Sequence, residues 1–235
     1  MRKRLFFLSV IFVIVGAIFV SLSFAFAEKN TSFIFKFDNQ SVYNISISLS
    51  KSDIAIKKSD NGTTYAVISS PSGKIINVSS DSSQIKITDQ FKNFDLSGGA
   101  KEFAYNGIGG IIKSLFSDKR TSVTLYVAEN AKITHLHTSI KSSSLFIDTQ
   151  ISSLDITAKK SELSLINVGA ENTICSLLSS VMRLNDKFSQ SDFYVLSNDA
   201  VTINDKLFKE FGSPSAKHKM TVNSKKTEIY VSIAS

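Results

Sequence analysis

The fold is decided by residues 134–166, which read THLHTSIKSSSLFIDTQISSLDITAKKSELSLI. Apolar residues recur there at a fixed interval of nine, in a ladder that begins just before the stretch: Val127, Leu136, Leu145, Leu154 and Leu163. A second ladder lies two positions later: Thr138, Ile147, Ile156, Leu165 and Ile174. Because side chains alternate along a strand, an offset of two keeps both ladders on one side of each strand.

The nine-residue unit is therefore a short strand with two inward apolar residues, followed by a polar turn such as Thr149–Ser153 or Lys159–Glu162. One unit cannot bury its apolar side alone, whereas stacked units can, as in solenoid proteins. A closed coil would need at least two such units. The constant spacing favours an all-β, solenoid-like stack, although an antiparallel sandwich also has strands every 8–12 residues.

The rest of the chain after Glu28 follows the same two-residue alternation, which is typical of half-buried strands. It begins with Phe33, Phe35 and Phe37 and ends with Ile229, Val231 and Ile233. Turn-forming residues separate the strands, and no obvious linker interrupts residues 28–235. The sequence therefore predicts one β-repeat domain over 28–235, preceded by a separate segment, 1–27.

Two segments depart from the β pattern and predict short helices. Half of the ten glycines fall between Gly98 and Gly110, and the segment Ile108–Phe116 then has apolar residues at helical spacing. This helix is expected to cap the open end of the sheet, with a membrane-surface helix as the alternative. The second segment, Asp205–Phe211, stops at Gly212 with Pro214 just beyond, which indicates a short helix and its end.

The segment Leu5–Ala27 carries no charge and is long enough to cross a bilayer as a helix. Arg2, Lys3 and Arg4 precede it, so the positive-inside rule places the N-terminus in the cytoplasm and the rest outside. Ala25-Phe26-Ala27 also fits a signal peptidase site, which leaves a retained anchor and a cleaved signal peptide both open. Either way, we expect residues 28–235 to be extracytoplasmic, in a bacterial cell envelope.

Composition limits the classes of partner. The chain has 27 basic and 20 acidic residues, a net charge of +7, and the basic residues fall in scattered turns, such as Lys159-Lys160 and Lys225-Lys226. These charges predict a solvated surface, or mild attraction to anionic headgroups or wall polymers. Export makes nucleic acid an unlikely partner. Cys175 is the single cysteine, so stability has to come from burial and hydrogen bonding rather than disulfides.

No group of residues predicts catalysis, a cofactor or a metal. His135 and His137 flank Leu136 and should point away from the core, where two histidines could share a metal. Glu129 is the one acidic residue within possible reach, so we expect both histidines to be exposed and without such a role. His218 is expected to be isolated in a polar loop, and Cys175 to be a small buried apolar residue.

Two segments carry a family resemblance: Ile45–Ile56 with the turn Asp60-Asn61-Gly62, and Thr121–Val127 leading into the ladder Leu136–Ile174. Together with the basic N-terminus and membrane segment, they make the chain similar to the bacterial "putative adhesin" domain family of unknown function. Ala128 stands where that family often has proline, and serine and lysine replace turn glycines. The resemblance implies a repetitive β domain at the membrane and supplies no catalytic residues.

The function expected from these features is a membrane-anchored, extracytoplasmic binding or scaffolding module without enzymatic activity. The expected partners are the membrane, through Leu5–Ala27, and a cell-wall polymer or an envelope protein. No small-molecule substrate is indicated. Two alternatives remain open: an envelope-stress sensor read by a membrane partner, and a secreted polysaccharide-cleaving enzyme on a β-helix.

Overall fold

The computed structural model describes residues 31–38, 40–70, 74–81, 83–91 and 120–234. These residues are all-β, apart from one 3₁₀ turn at Gln190–Asp192. None of the helices in this part of the chain is long and apolar enough to cross a bilayer. The segments Leu5–Ala27 and Ile108–Phe116, for which the sequence predicts helices, lie outside the described residues.

The seventeen strands of the described residues belong to one sheet. In chain order they are β1 (Thr31–Lys36), β2 (Val42–Ser50), β3 (Ser52–Ser59), β4 (Tyr65–Ser70), β5 (Lys74–Asp81), β6 (Gln84–Phe91), β7 (Thr121–Ala128), β8 (Lys132–Lys141), β9 (Ser144–Asp148), β10 (Ile151–Lys159), β11 (Glu162–Ile166), β12 (Asn172–Leu178), β13 (Val181–Asn185), β14 (Phe193–Ile203), β15 (Lys206–Phe211), β16 (His218–Lys225) and β17 (Glu228–Ser232).

The chain divides into two compact units. The larger comprises Ser32–Ser69, Ile76–Asp89 and Arg120–Ser235, and everything below concerns this unit. The smaller comprises Met1–Thr31, Ser70–Ile75 and Gln90–Lys119, most of which lies outside the described residues.

Most strands of the larger unit pair in parallel, in two series. Series A runs β6, β2, β8, β10, β12, β16, β14. Series B runs β7, β3, β9, β11, β13, β17, with β4 antiparallel beside β7. Five pairs of consecutive strands contribute one strand to each series, and a tight corner joins the two strands of each pair: β2–β3, β8–β9, β10–β11, β12–β13 and β16–β17.

The nine-residue ladder corresponds to this arrangement. Leu136 pairs with Leu154 in series A, and Leu145 pairs with Leu163 in series B. Alternate members of the ladder therefore belong to alternate series, and residues eighteen apart, such as 136 and 154, become direct neighbours. All four leucines are buried in one hydrophobic cluster. The register therefore brings residues two nine-residue units apart side by side in each series.

The second ladder fails at its last member. Ile174 is 54% exposed, whereas Ile156 is fully buried. The partner of Ile156 on β12 is Cys175, one position later than the ladder predicts. The cause is the connection 167–171 between β11 and β12, which is long enough to change the phase and contains Gly169 at a φ of +64°. The extra residue turns Ile174 outward and places Cys175 in the core.

The helix predicted at Asp205–Phe211 is wrong, because the segment forms strand β15, antiparallel to β14. Asn204 and Asp205 connect the two strands with φ values of 43° and 65°. Two consecutive positive φ angles define the type I′ turn that a two-residue hairpin prefers, and Asn and Asp tolerate that conformation well. The turn fixes the hairpin, and Gly212 with Pro214 beyond it ends a strand here rather than a helix.

The order of the stack differs from the order of the chain. The unit β2–β3 lies between β6–β7 and β8–β9, although it precedes both in sequence. Likewise, β16 lies between β12 and β14. Both insertions bring residues that are far apart in the sequence into direct register.

Serine and threonine residues connect the layers at the corners between series A and series B. The backbone N–H of Ser143 donates to Ser161 Oγ at 3.3 Å, and that of Ser161 donates to Ser180 Oγ at 3.2 Å. The Ser161 hydroxyl in turn donates to the carbonyl of Lys159 at 2.9 Å. The preceding residue, Lys160, has a positive φ of 51°. The same geometry recurs at Ser52 and its neighbours, so each corner is fixed by the next layer.

Candidate functional site

The outward side of series B carries a shallow groove of about 310 Å³. Strands β3, β7 and β9 form it, with β3 in the middle. The residues that line it are Asp53, Ile54, Ala55, Lys57, Ser122, Thr124, Ser144 and Phe146. Because β3 is the strand inserted out of chain order, the groove combines the N-terminal part of the domain with its central repeat.

Ala55 forms the floor of the groove. It pairs with Thr124 on one side and with Phe146 on the other, so all three side chains point outward in one row. The alanine is much smaller than its neighbours, which leaves a depression between the threonine and the phenylalanine ring. Ile54 and Ile56 on the same strand are buried and hold β3 against the core.

One end of the groove is polar. The guanidinium of Arg120 lies 2.9 Å from Asp53 Oδ1, and the Ser144 hydroxyl donates to the same oxygen at 2.6 Å. Both members of the ion pair are about half exposed. The pair therefore adds little to stability, while its remaining donors and its free carboxylate oxygen are available to a ligand.

The other end is formed by Lys57, with the Phe146 ring beside it. The Lys57 amine lies 5.4 Å from the centre of the Phe146 ring, within range of a cation–π interaction. Next to Lys57 in the register is Tyr126, which stacks on Tyr65 with ring centres 4.7 Å apart. The surface thus offers flat ring faces beside charged and hydroxyl groups, a combination that suits a ligand with both apolar and polar sides.

A second groove, of about 450 Å³, lies near the C-terminal end and includes Asn204 and Tyr230. The Asn204 amide binds both backbone groups of Ile233, at 3.1 and 3.2 Å. The Tyr230 hydroxyl donates to a Glu228 carboxylate oxygen at 3.1 Å, which raises the pKa of the tyrosine. Its Asn204 amide and Tyr230 hydroxyl are thus already hydrogen-bonded, and we take the series B groove as the stronger candidate.

His135 and His137 both lie outside the core, as their spacing predicts. Nδ1 of His137 lies 3.1 Å from the Asp155 carboxylate on the neighbouring strand. In the part of the chain that the structure describes, no three histidine, cysteine or carboxylate side chains come together as metal ligands. The pair at His135 and His137 therefore gains no third ligand.

The expectation that His218 is isolated in a loop is wrong. It is the first residue of β16, where its ring stacks on Phe188 with centres 4.1 Å apart. Its Nδ1 lies 2.9 Å from the carbonyl oxygen of Ala170. These contacts give His218 a structural role where β12 and β16 meet.

Cys175 is buried, as predicted, with its sulfur 3.9 Å from that of Met182. Burial, with a smaller contribution from the Asp155 carboxylate, raises the pKa of the thiol to about 12. The nucleophilic thiolate is therefore almost absent at neutral pH.

We expect the folded chain to resist maleimide labelling at about pH 8, because Cys175 is both inaccessible and protonated. Labelling in denaturant should be complete. A matched control is Ser176→Cys in a Cys175→Ala background, since position 176 is exposed on the same strand. Mass spectrometry of the labelled chains measures the outcome. Equal labelling rates for the wild type and the control would contradict the buried position of Cys175.

The residues of the groove carry little signal in the sequence. Phe146 carried a usable signal, because a large aromatic residue stands between the inward residues Leu145 and Ile147 and must therefore point outward. Asp53 and Ala55 carried no such signal. Their proximity to Phe146 depends on the insertion of β3 between β7 and β9.

Comparison with known proteins gives matches among solved structures only, since no family model and no curated protein matches the chain. A putative cell adhesion protein from Clostridium sporogenes is 7% identical, with 88% of this chain and 100% of that one covered and a TM-score of 0.38. A putative adhesin from Bacteroides fragilis is 12% identical, with 88% and 98% covered and a TM-score of 0.30. A putative lipid binding protein from Parabacteroides distasonis is 9% identical, with 89% and 98% covered and a TM-score of 0.25.

The first two are named as a putative cell adhesion protein and a putative adhesin, the label of the family that the sequence resembles. A putative adhesin from Parabacteroides merdae is also similar, and the match again covers 88% of this chain.

Proposed function

We propose that the chain is a non-enzymatic, adhesin-like binding module that holds a glycan polymer of the bacterial cell envelope in the series B groove. The observation that carries the proposal is the arrangement around Ala55: an aromatic ring at Phe146 on one side and the polar set Asp53, Arg120 and Ser144 at the end. The groove lies on strands rather than on loops.

The chemistry of a sugar ring fits this arrangement. A pyranose has an apolar C–H side that packs on an aromatic ring, and hydroxyl groups at its rim that need hydrogen-bond partners. Phe146 offers the ring face, while Asp53 and Arg120 offer acceptors and donors at the end of the groove. The groove is shallow and open along the stack, so a polymer could continue beyond it in both directions.

The scaffold supports binding through rigidity. We propose that the parallel units form a solenoid-like stack, supported by the pairing of residues eighteen positions apart, such as Leu145 with Leu163. The corner hydrogen bonds restrain each layer against the next. A surface that is already ordered loses little entropy on binding, which favours affinity from many weak contacts.

The residues of the groove also support a role without catalysis. Asp53 is the one carboxylate among the lining residues. It accepts a hydrogen bond from Ser144 and forms an ion pair with Arg120. Glycoside hydrolysis generally needs two carboxyl groups on either side of the scissile bond. A binding module needs only the single hydrogen-bonding carboxylate.

For location, we propose that the domain is extracytoplasmic and that Leu5–Ala27 carries it there, as an anchor or as a cleaved signal peptide. An anchor would raise the local concentration of the groove at the envelope. Mass analysis of the N-terminus of the chain from fractionated cells decides between the two forms.

The glycan proposal predicts a specific loss of affinity. Phe146→Ala removes the ring face, and we expect binding of soluble β-1,4-linked N-acetylglucosamine oligomers, a simple model of wall glycan, to weaken about tenfold, since aromatic packing contributes about 1.4 kcal/mol. Titration calorimetry measures the change. The matched control is Phe33→Ala, because Phe33 is exposed but lies outside the groove.

The proposal is contradicted if the wild type binds none of the neutral glycans from cell walls, or if Phe33→Ala weakens binding as much as Phe146→Ala. Cleavage of the oligomers by the wild-type chain would contradict the non-enzymatic part. Chromatography of the oligomers after incubation detects it.

A further inference from the structure

The corners between series A and series B carry lysines that the sequence presents as scattered pairs. Each corner has two outward positions: the last residue of the series A strand and the residue with positive φ that follows it. Six exposed lysines occupy these positions in four of five consecutive layers: Lys51, Lys141, Lys159, Lys160, Lys225 and Lys226. We call this set the corner ridge.

The register places these lysines in line. Lys159 pairs directly with Lys141 on the next strand, and Lys225 lies one layer beyond Leu178, which itself pairs with Lys159. Neighbouring strands are about 4.8 Å apart, so the five layers of the corner ridge extend over roughly 19 Å. The sequence expectation of scattered basic residues is therefore corrected, because stacking converts separate pairs into a linear array.

The backbone of the corner ridge is fixed. The N–H of Lys51 donates to the carbonyl of Lys141 at 2.9 Å, and the N–H of Lys160 donates to that of Leu178 at 2.9 Å. The serine hydrogen bonds at the same corners add a second restraint per layer. The spacing of the charges is thus set by the fold, while each side chain remains free in solvent.

None of the corner lysines has an ion-pair partner within the described part of the chain. One carboxylate lies beside the ridge, next to Lys51: Asp89 accepts hydrogen bonds from the Ser50 N–H and hydroxyl at 2.7 and 2.8 Å. The six lysines outnumber this carboxylate, so the ridge keeps an excess of positive charge. Like charges at this spacing repel each other, so an added polyanion relieves the repulsion and releases its own counterions.

We propose that the corner ridge binds a linear, phosphate-bearing polymer of the cell envelope, which would lie along the stack at a right angle to the strands. Lysine amines are established phosphate-binding groups. A polymer fits better than a bilayer, because membrane-surface elements combine basic residues with exposed aromatic or apolar side chains that insert. The ridge has one apolar neighbour, Leu178, and it is only partly exposed. This inference is independent of the glycan groove.

The test uses the full chain and long-chain inorganic polyphosphate, with binding measured by fluorescence anisotropy at several salt concentrations. The variant is Lys159→Gln, Lys160→Gln, Lys225→Gln and Lys226→Gln combined. The control removes the same charge elsewhere, from four exposed lysines outside the ridge: Lys206→Gln, Lys209→Gln, Lys217→Gln and Lys219→Gln.

We expect the ridge variant to bind at least about tenfold more weakly at low salt, and its logarithmic salt dependence to become shallower by roughly 0.7 for each phosphate that it no longer neutralises. The control should bind less than about threefold more weakly, as expected for a change in net charge alone. Circular dichroism and thermal melting establish that both variants fold. The double variant Lys225→Gln, Lys226→Gln provides a milder change with a proportionally smaller decrease in affinity.

Three results would overturn the proposal. One is an equal decrease in affinity in the ridge variant and the control. The second is an affinity for free orthophosphate equal to the affinity for the polymer, when both are expressed per phosphate group. The third is unchanged polyphosphate binding in the ridge variant together with weaker binding to vesicles of anionic phospholipid, since that would assign the ridge to the membrane.

Discussion

Ile156→Ala is expected to lower the free energy of unfolding by about 2–5 kcal/mol, whereas Ile174→Ala lowers it by about 1 kcal/mol or less. Both residues belong to the same nine-residue ladder in the sequence. In the structure, Ile156 is fully buried in the core and Ile174 is 54% exposed on the outer side of β12. Truncation of Ile156 leaves a cavity between two layers. Truncation of Ile174 mainly removes atoms that are already exposed to solvent.

Urea denaturation of the two variants and the wild type, followed by circular dichroism, measures the difference. The comparison needs no further control, because each variant removes the same atoms from the same residue type. Equal destabilisation would mean that the ladder keeps its phase through the connection 167–171, and the register Ile156–Cys175 would then be wrong.

Gly212→Ala is expected to destabilise the chain by about 2–5 kcal/mol, the sum of left-handed backbone strain and overpacking. Gly212 has a φ of +83°, and a Cβ built there would lie 2.0 Å from the carbonyl oxygen of Phe193. That oxygen belongs to the backbone at the start of β14, so it cannot move without displacing the β14–β15 hairpin.

Gly62→Ala serves as the matched control. Gly62 has a similar φ of +66°, but no atom lies within 4 Å of the added Cβ. Alanine at position 62 is therefore expected to lower the free energy of unfolding only by the left-handed backbone strain, about 1–2 kcal/mol. Thermal and urea unfolding of both variants gives the difference. If the two glycines tolerate alanine equally, the close approach of Gly212 to Phe193 is not present in solution.

Much of the fold follows from the sequence because side chains alternate along every strand. The ladder Leu136, Leu145, Leu154 and Leu163 indicates both the inward residues and the layer repeat, and the structure buries all four. The second ladder fails at Ile174, because one extra residue in the connection 167–171 reverses which residues of β12 point inward. Spacing alone cannot show such a change when both Ile174 and Cys175 are apolar enough for the core.

The sequence contains a signal for the hairpin β14–β15, but the prediction of a helix at Asp205–Phe211 took precedence over it. Gly212 followed by Pro214 predicts the end of a helix, while Asn204-Asp205 between two apolar runs is a good two-residue hairpin turn. The open edge of β14 gives the segment a hydrogen-bonding partner, which an isolated short helix would lack. The turn residues before the segment are here a better guide than the stop residues after it.

The groove and the corner ridge could not be predicted from the sequence, because both depend on stacking order. Asp53 and Ser144 are hydrogen-bonded although ninety-one positions separate them. No local sequence pattern indicates that β2 and β3 lie between strands that come later in the chain. The corner lysines likewise become neighbours only because equivalent turns of successive layers align.

The central claim is that the series B groove binds an envelope glycan, and its most direct test is amide NMR of the isotope-labelled chain during titration with N-acetylglucosamine oligomers. We predict shift changes concentrated at Asp53, Ala55 and Phe146, which line the groove, with no changes at His135 or Thr157 on the outward side of series A. Changes centred on series A, or no changes at saturating oligomer, would contradict the claim.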